Sequence, residues 1–196
     1  MFDCTRFENL SLCEDHAVIL ETERLILRPF RDGDTDAYAA MGADAEVMEF
    51  LSADGGLLSR ADAWRQMSMF LGHWELRGYG TWAVEEKSTG EFVGRIGLHF
   101  PEGWPDRELG WTVARKFWGK GYATEGARAS LNHAFNTFGW THLVSLIHPN
   151  NHRSARVAER LGQRLFGKAE VRGLHLNMYR IDHQPSAPSG SSATDL

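Results

Sequence analysis

Two glycines, Gly119 and Gly121, stand between a strand pattern over 108–113 and a helix pattern that runs from about Ala123 to Phe138. A glycine-rich turn between a strand and a helix points successive backbone N–H groups into one concavity, and the helix N-terminus adds the positive end of its dipole. This arrangement favours a phosphate-binding cradle. The same spacing also occurs in turns that bind nothing, so the pattern alone leaves both interpretations open.

Basic side chains flank the two glycines at Arg115, Lys116 and Lys120 and add positive charge to the turn. The segment is not a P-loop, because no Gly-Lys-Ser/Thr triplet follows a first glycine at the required spacing. It is not a dinucleotide-binding fingerprint either, because no glycine stands three residues after Gly121. The turn therefore predicts anion binding of a kind that neither nucleotide motif describes.

The rest of the chain alternates between strand and helix patterns. The strand patterns, bounded by turn residues, cover 24–28, 81–84, 92–98, 142–147 and two short segments near 164–166 and 175–181. A short helix is expected to bury Ala37, Ala40 and Met41, and Ser59 predicts the N-cap of a longer helix. The apolar positions of that longer helix are Trp64, Met67, Phe70, Leu71 and Trp74. Interleaved strands and helices favour a mixed α/β (α+β) class.

Length and composition fit a single domain: 196 residues, of which 42% are hydrophobic, are enough for a sizeable core. No apolar run reaches the ~20 residues of a membrane-spanning helix, and the first residues do not resemble a signal peptide. Cys4 and Cys13 are the only cysteines, and the nine histidines are scattered. We therefore expect a soluble cytoplasmic protein without membrane association, disulfide framework or metal site.

Charge is distributed unevenly along the chain, with −11 over residues 1–110 and +8 over residues 111–180. This asymmetry indicates either two surfaces that meet ligands of opposite charge or uneven charge on solvated faces. Nucleic-acid binding is not expected, because the total charge is −5 and the basic half lacks interleaved aromatic platforms on which bases could stack. Three regions follow from the patterns: an N-terminal lead over 1–21, a domain over 22–182 and a disordered, low-complexity tail over 183–196.

Three segments, in order, resemble the GCN5-related N-acetyltransferases, in the branch similar to ribosomal-protein N-terminal acetyltransferases. The first is the opening strand 22–29, Thr-Glu-Arg-Leu-Ile-Leu-Arg-Pro. The second runs from Glu108 to Glu125 and includes Trp-Gly-Lys-Gly-Tyr-Ala-Thr-Glu, with Lys116 where Gln or Arg is commonest in the family. The third is Asn-His-Arg-Ser-Ala-Arg-Val at 151–157, followed by Leu161-Gly162. The resemblance covers residues 22 to about 182.

The resemblance implies a mixed, mostly antiparallel sheet that is splayed between its fourth strand, 108–113, and its fifth, 142–147, with flanking helices. Acetyl-CoA would lie in the splay, its pantetheine arm along the backbone of the fourth strand and its pyrophosphate on the glycine turn. No metal is implied. The residues that the resemblance assigns to acetyl-CoA are Trp111, Thr112, Val113, Lys116, Trp118, Gly119, Lys120, Gly121, Tyr122, Ala123, Thr124, Asn151, Ser154 and Arg156.

Several of these residues also have ordinary structural interpretations. Asn151 is a natural helix N-cap, Ser154 is a common first-turn residue, and Arg156 is typical of a solvated helix face. Trp118 and Trp104 lie in loops, where they are candidates for lining a substrate mouth.

Acetyl transfer to an amine needs a base for the ammonium proton, a donor for the developing oxyanion and an acid for the leaving thiolate. We expect Glu108 as the base, the Val113 backbone N–H as the oxyanion donor and Ser154 as the acid, with Tyr122 and Tyr179 as alternatives to Ser154. Glu108 also fits an ordinary surface glutamate at the edge of a strand. A non-catalytic acyl-CoA-binding module remains the competing interpretation.

The acceptor is expected to be a protein N-terminus, a cationic small molecule or an amino-acid-like metabolite. Residues 30–62 would form part of the acceptor side, where a negative field would attract a cationic amine. The acidic residues of this stretch are Asp32, Asp34, Asp36, Asp44, Glu46, Glu49, Asp54 and Asp62. The same residues would also fit solvated helices without a role in binding. A homodimer is possible, since dimers are common among enzymes of this size.

Overall fold

A computed structural model describes residues 18–52 and 55–184. The lead as far as residue 17, with Cys4 and Cys13, lies outside the described residues, as do Asp54 and the tail from residue 185 onward. The strands are β1 (Leu20–Glu21), β2 (Leu25–Arg28), β3 (Thr81–Glu86), β4 (Phe92–His99), β5 (Glu108–Val113), β6 (His142–Ile147), β7 (Arg164–Val171) and β8 (Leu174–Asp182). The helices are α1 (Thr35–Gly42), α2 (Ala45–Met48), α3 (Arg60–Arg77), α4 (Tyr122–Asn136) and α5 (His152–Arg160).

The eight strands form one sheet in the order β1-β2-β3-β4-β5-β6-β8-β7. Every neighbouring pair is antiparallel except β5 and β6, which are parallel and share one registered pair, Glu108 with Val144. Beyond that pair the two strands separate, so the sheet opens towards the C-terminal ends of β5 and β6. The mixed, splayed sheet expected from the sequence is confirmed, and the splay lies between the two expected segments, 108–113 and 142–147. These are the fifth and sixth strands and not the fourth and fifth, because the short strand β1 precedes them.

Helices cover both faces of the sheet and create two cores. On one face, α4 buries Ala127, Leu131 and Ala134 against strand residues such as Leu27 and Ile96. On the other face, α1 and α3 pack around an aromatic group formed by Phe30, Tyr38, Phe70 and Phe92. Both faces of the central strands are therefore buried, which holds the edges of the splay in fixed positions.

The buried face of α1 differs from the expectation. Met41 is buried as predicted, but Ala37 and Ala40 are exposed, and the helix buries Thr35 and Tyr38 in their place. The centroid of the Tyr38 ring lies 5.5 Å from that of the Phe30 ring. The Tyr38 ring thus fills space against the sheet that the small Ala37 and Ala40 side chains would leave partly empty. The larger apolar area of the aromatic ring therefore sets the rotation of the helix.

The expected face of α3 is also partly wrong. Met67 and Phe70 are buried as predicted, but Trp64 is 52% exposed and Leu71 is 42% exposed. Phe70 stacks on Phe30 with ring centroids 5.5 Å apart, and this contact fixes how the helix is rotated. With this rotation, Leu71, one residue after Phe70, and Trp64, six residues before it, point away from the sheet.

Other bounds shift by a few residues. α4 begins at Tyr122 and ends at Asn136, and Ser59 caps α3 as predicted, with its side chain accepting from the Asp62 N–H. The last two strands are longer than expected and form a hairpin across 164–182. These differences do not affect the two strands on either side of the splay, β5 and β6, whose bounds agree with the prediction.

Candidate functional site

A cleft of about 940 Å³ lies between the loop after β5 and the N-terminal part of α5. Most of the residues predicted to hold the cofactor line it. They come from the strand, the glycine turn and α5, and they are Trp111, Thr112, Val113, Trp118, Gly119, Gly121, Tyr122, Ala123, Thr124, Asn151, Ser154 and Arg156. Segments some thirty residues apart in sequence thus form one continuous wall.

The glycine turn has the backbone conformation that the sequence predicts. Gly119 and Gly121 have φ values of 79° and 84°, in the left-handed region that glycine tolerates and other residues avoid. Gly121 is the residue immediately before α4, so the first N–H groups of that helix open towards the cleft. The turn therefore has the backbone geometry expected of an anion-binding site at a helix N-terminus.

An ion pair from outside the turn holds it in place. Arg24 donates through Nε to Glu125 in the first turn of α4, at 2.7 Å, and through Nη1 to the Lys120 carbonyl at 3.0 Å. The Thr22 hydroxyl donates to the same carboxylate at 2.6 Å. The opening strand of the domain therefore anchors the start of α4.

The backbone of β5 has unpaired groups on the splay side. The Ala114 N–H donates to the Val93 carbonyl, so alternate residues such as Thr112 direct their backbone groups to β4. Trp111 and Val113 direct theirs the other way, towards the gap where β6 has separated. The Trp118 indole donates to the Val113 carbonyl at 2.7 Å, which leaves the Val113 N–H facing the gap.

Asn151 caps α5, because its side chain accepts from the Ser154 N–H at 3.1 Å. The cap holds Ser154 in the first turn at the wall of the cleft. Arg153 lies over the Trp118 ring, 4.3 Å from the guanidinium carbon to the centroid. Arg156 and Arg160 line the same cleft. Of these three arginines only Arg156 was predicted from the sequence; the spacing of Arg153 and Arg160 from Arg156, which puts them on one helix face, is the signal that could have indicated them.

Lys116 and Lys120 are not among the residues that line the cleft. Lys116 pairs with Glu91 at 2.7 Å, and both lysine ammonium groups lie near the Phe117 ring. Arg115 bonds to Asp44 and Glu46, each at 2.8 Å, which ties the loop to α2. The positive charge facing the cleft comes mainly from α5.

A smaller cavity of about 80 Å³ adjoins the cleft and shares Trp111, Thr112, Asn151 and Ser154 with it. Glu108 and Ser154, predicted from separate segments, both line this cavity. Arg95, Ser145 and His148 also line it and were not predicted from the sequence. The structure therefore brings the two candidate catalytic groups to one place.

Glu108 lies at the closed end of the splay. Its Oε2 accepts from the Trp104 indole at 2.7 Å, and burial raises the pKa of the carboxyl to about 7, although Trp104 and the charge of Arg95 favour the ionised form. The Ser145 hydroxyl joins β6 to the Leu109 carbonyl at 2.7 Å just beside it. A carboxyl with a pKa near neutrality is suited to accept a proton at physiological pH.

His99 is less suited than Glu108 to accept a proton, and the two tyrosines predicted as alternatives to Ser154 are poorly suited to donate one. His99 faces Glu108 across β4 and β5, and burial lowers the pKa of its ring to about 3. The Tyr122 hydroxyl bonds to buried Glu86, and this bond raises the pKa of the phenol. Tyr179 pairs with Ser145 in the β6–β8 ladder and lines neither cavity.

The acidic stretch is largely neutralised by its own neighbours. Asp34 forms a buried ion pair with Arg28 at 2.8 Å, and Asp36 pairs with Arg60 at 2.6 Å. Arg115 neutralises Asp44 and Glu46, as described above, and Asp62 caps α3 and pairs with Arg65. The stretch therefore supplies a weaker negative field than its composition suggests. Glu46 and Glu49 line the large cleft.

Within 18–52 and 55–184, no three His, Cys, Asp or Glu side chains are grouped so that they could hold a metal ion. In the same part of the chain, no helix combines the length and the apolar character that crossing a membrane requires.

Comparisons with known proteins agree with this geometry. The family model described as the acetyltransferase (GNAT) domain matches residues 24–164. The uncharacterized protein YkkB of Bacillus subtilis is 37% identical over 151 residues, which cover 73% of this chain and 83% of that protein.

Two solved structures show the same fold. An acetyltransferase from Agrobacterium tumefaciens superposes with a TM-score of 0.75 and 35% identity, covering 85% of this chain and 95% of its own. RimL, a ribosomal L7/L12 alpha-N-protein acetyltransferase in complex with coenzyme A, has a TM-score of 0.71 and 19% identity, covering 84% of this chain and 98% of its own. At that identity RimL shows the fold alone. The family model and the relatives together establish that this chain belongs to the GNAT family and is an acetyl-CoA-dependent acetyltransferase.

Proposed function

We propose that the protein transfers the acetyl group of acetyl-CoA to a primary amine by direct attack, with no acetyl-enzyme intermediate. The observation that carries this proposal is the small cavity, where Glu108 and Ser154 meet beside the unpaired backbone of β5. Neither cysteine of the chain lies in the acetyltransferase domain, which argues against an acyl-cysteine route.

Glu108 acts as the general base. An amine is mostly protonated at neutral pH, so the carboxylate removes a proton from the ammonium group and frees the nitrogen lone pair. Because the pKa of Glu108 is about 7, a large fraction of the carboxyl is ionised at physiological pH and is still basic enough to take that proton. The rate is then expected to rise with pH through about 7.

The amine nitrogen attacks the thioester carbonyl, a C–N bond forms, and the C–S bond breaks. The Val113 N–H, on the open side of β5, would donate to the carbonyl oxygen as it gains negative charge. Ser154 gives its hydroxyl proton to the leaving thiolate of coenzyme A and takes up the second proton that the attacking nitrogen loses as it becomes the neutral amide. The first ammonium proton stays on Glu108 until it passes to solvent. The products are the N-acetylated amine and coenzyme A.

The cleft supports binding of the rest of acetyl-CoA. Backbone N–H groups of the glycine turn would receive the pyrophosphate, and Arg153, Arg156 and Arg160 offer positive charge to the other phosphate. Lys116 and Lys120 then contribute only at longer range. Candidate acceptors remain a protein N-terminus, a cationic small molecule and an amino-acid-like metabolite. The neutralised acidic stretch gives less support to the cationic class.

Thiol release from acetyl-CoA, measured with a library of primary amines, tests the reaction. Turnover above the rate without acceptor is expected for at least one amine class, with an N-acetyl product found by mass spectrometry. Calorimetric titration with coenzyme A reports cofactor binding separately. Binding without turnover for any amine would favour a non-catalytic acyl-CoA-binding module, and no binding near millimolar coenzyme A would remove the proposal altogether.

A further inference from the structure

The small cavity contains a positive charge that acetyl transfer does not need. Arg95 lies in β4, half-buried, with its guanidinium carbon 5.3 Å from the centroid of the Phe70 ring. Its charge acts on Tyr38, His99 and Glu108. Among the residues that the structure describes, no ion pair includes Arg95. Arg95 donates a hydrogen bond to the Tyr38 hydroxyl, and its charge favours the ionised form of Glu108, but neither interaction is a direct ion pair. A guanidinium that lines a cavity without a direct ion pair favours an anionic ligand there.

The hydroxyl of Thr112, beside Arg95, lacks a hydrogen-bond partner among the described residues. Thr112 is the registered neighbour of Arg95 across β4 and β5, so both side chains lie on the same face of the sheet. Thr112 is only 7% exposed, and its hydroxyl makes no hydrogen bond within the described part of the chain. It also lines the small cavity, where a ligand oxygen would satisfy it.

The positions of these groups relative to Glu108 suggest what that ligand is. Glu108 and Thr112 lie on β5 four residues apart, and Glu108, Thr112 and Arg95 all line the same cavity. Its volume of about 80 Å³ exceeds the ~10–15 Å³ that one ordered water molecule needs, so it has room for small polar groups. This space suits an amino group and one small anionic group, with the remainder of the acceptor extending into the larger cleft.

We propose that Arg95 and the Thr112 hydroxyl bind a carboxylate of the acceptor while its amine faces Glu108, so that the acceptor is an amino acid or a similar small amino acid derivative. The planar guanidinium matches a carboxylate with two parallel hydrogen bonds, and the hydroxyl adds a third donor. The inference rests on the proposed amine acetylation and narrows its acceptor. Arg95 is a specificity residue in this account, because it contacts the carboxylate and not the reacting atoms.

The test compares pairs of acceptors that differ only in the carboxylate: L-amino acids and the amines obtained from them by decarboxylation. For the unmodified protein, kcat/KM is expected to be about ten- to a hundredfold higher for the amino acid of the preferred pair. In Arg95→Met this ratio is expected to fall towards one, mainly through a higher KM for the amino acid. Arg77→Met removes a charge that pairs with exposed Glu102 on the surface, and it is expected to retain the ratio.

Two outcomes would overturn the assignment of Arg95. One is an unmodified enzyme that prefers the decarboxylated amines, and the other is an Arg95→Met variant that loses activity equally with both members of each pair. The second outcome would mean that Arg95 acts only through the charge of Glu108. If no amine is acetylated, the proposed function fails, and calorimetry with amino acids in the presence of coenzyme A decides the carboxylate site separately. Binding lost in Arg95→Met would uphold it, and no binding to the unmodified protein would overturn it.

Discussion

The two ends of the proposed active site differ in the groups that they present to the substrates: backbone groups at one end and side chains at the other. At the proposed pyrophosphate end, the glycine turn presents backbone N–H groups, and its conformation requires Gly119 and Gly121. At the acceptor end, Glu108, Arg95 and Thr112 present side chains whose charge and burial depend on three neighbouring strands and the loop that contains Trp104. The first end therefore depends mainly on backbone conformation, and the second depends mainly on the burial and charge of a few side chains.

This difference predicts how each end responds to mutation. Changing a side chain at the acceptor end alters a proton transfer or a charge, which acts on the chemical step. Changing a glycine at the pyrophosphate end alters backbone geometry that contacts acetyl-CoA equally in the ground state and in the transition state. Such a change therefore lowers the affinity for acetyl-CoA more than it lowers kcat. Kinetics that separate kcat from the affinity for acetyl-CoA therefore distinguish the two ends.

The largest effect is expected from Glu108→Gln. The amide keeps the shape of the side chain and cannot accept the ammonium proton, so kcat should fall by about 10²- to 10³-fold. The dissociation constant of acetyl-CoA should stay within about twofold, because Glu108 lines only the small cavity. Steady-state kinetics and calorimetry measure the two quantities.

Glu102→Gln is the matched control, since the side chain of Glu102 is 99% exposed in the loop before β5. It should retain kcat. Unchanged turnover in Glu108→Gln would remove the base assignment and leave the reaction itself standing.

A smaller effect, on binding, is expected from Gly121→Val. Gly121 has φ 84°, which costs a β-branched residue about 1–2 kcal/mol or forces the turn to change. A Cβ at this position would also lie 3.5 Å from Arg24 Nη2, in the group that anchors α4. The dissociation constant of acetyl-CoA should rise about tenfold, with a smaller change in kcat at saturating acetyl-CoA.

Gly167→Val provides the comparison, because a Cβ on this β7 glycine would meet nothing within 4 Å and its φ is not positive. Its affinity for acetyl-CoA should match that of the unmodified protein. Equal losses in the two variants would show that the effect of Gly121→Val reflects general destabilisation and not the turn.

The smallest effect is expected from Trp104→Phe. The phenyl ring lacks the indole N–H that donates to Glu108 Oε2, so the ionised carboxylate loses a favourable contact and the pKa of Glu108 rises further above about 7. The acidic limb of the pH–kcat/KM profile should move up by about one unit, while the plateau at high pH is retained.

Trp64→Phe, at an exposed position of α3, should leave the profile in place. A loss of plateau activity in Trp104→Phe without a shift of the limb would mean that Trp104 shapes the cavity and does not tune the base.

Local sequence patterns predicted much of the fold because the contacts involved are close in the chain. The strand 108–113, the glycine turn and the start of α4 follow one another directly, and the Ser59 and Asn151 caps each act over three residues. The faces of α1 and α3 were partly wrong, since the aromatic packing of Phe30, Tyr38 and Phe70 joins segments that periodicity treats separately.

The sequence by itself determined the turn, its glycines and the position of Glu108 at the start of β5, because turn conformation and the bounds of a strand follow from neighbouring residues. Only the tertiary structure decided that Glu108 is half-buried beside Trp104, that Arg95 from another strand shares its cavity and that Lys116 pairs with Glu91 outside the cleft. Burial and charge balance depend on every segment that packs around a group, so the proton affinity of Glu108 arises from the fold and not from its place in the chain.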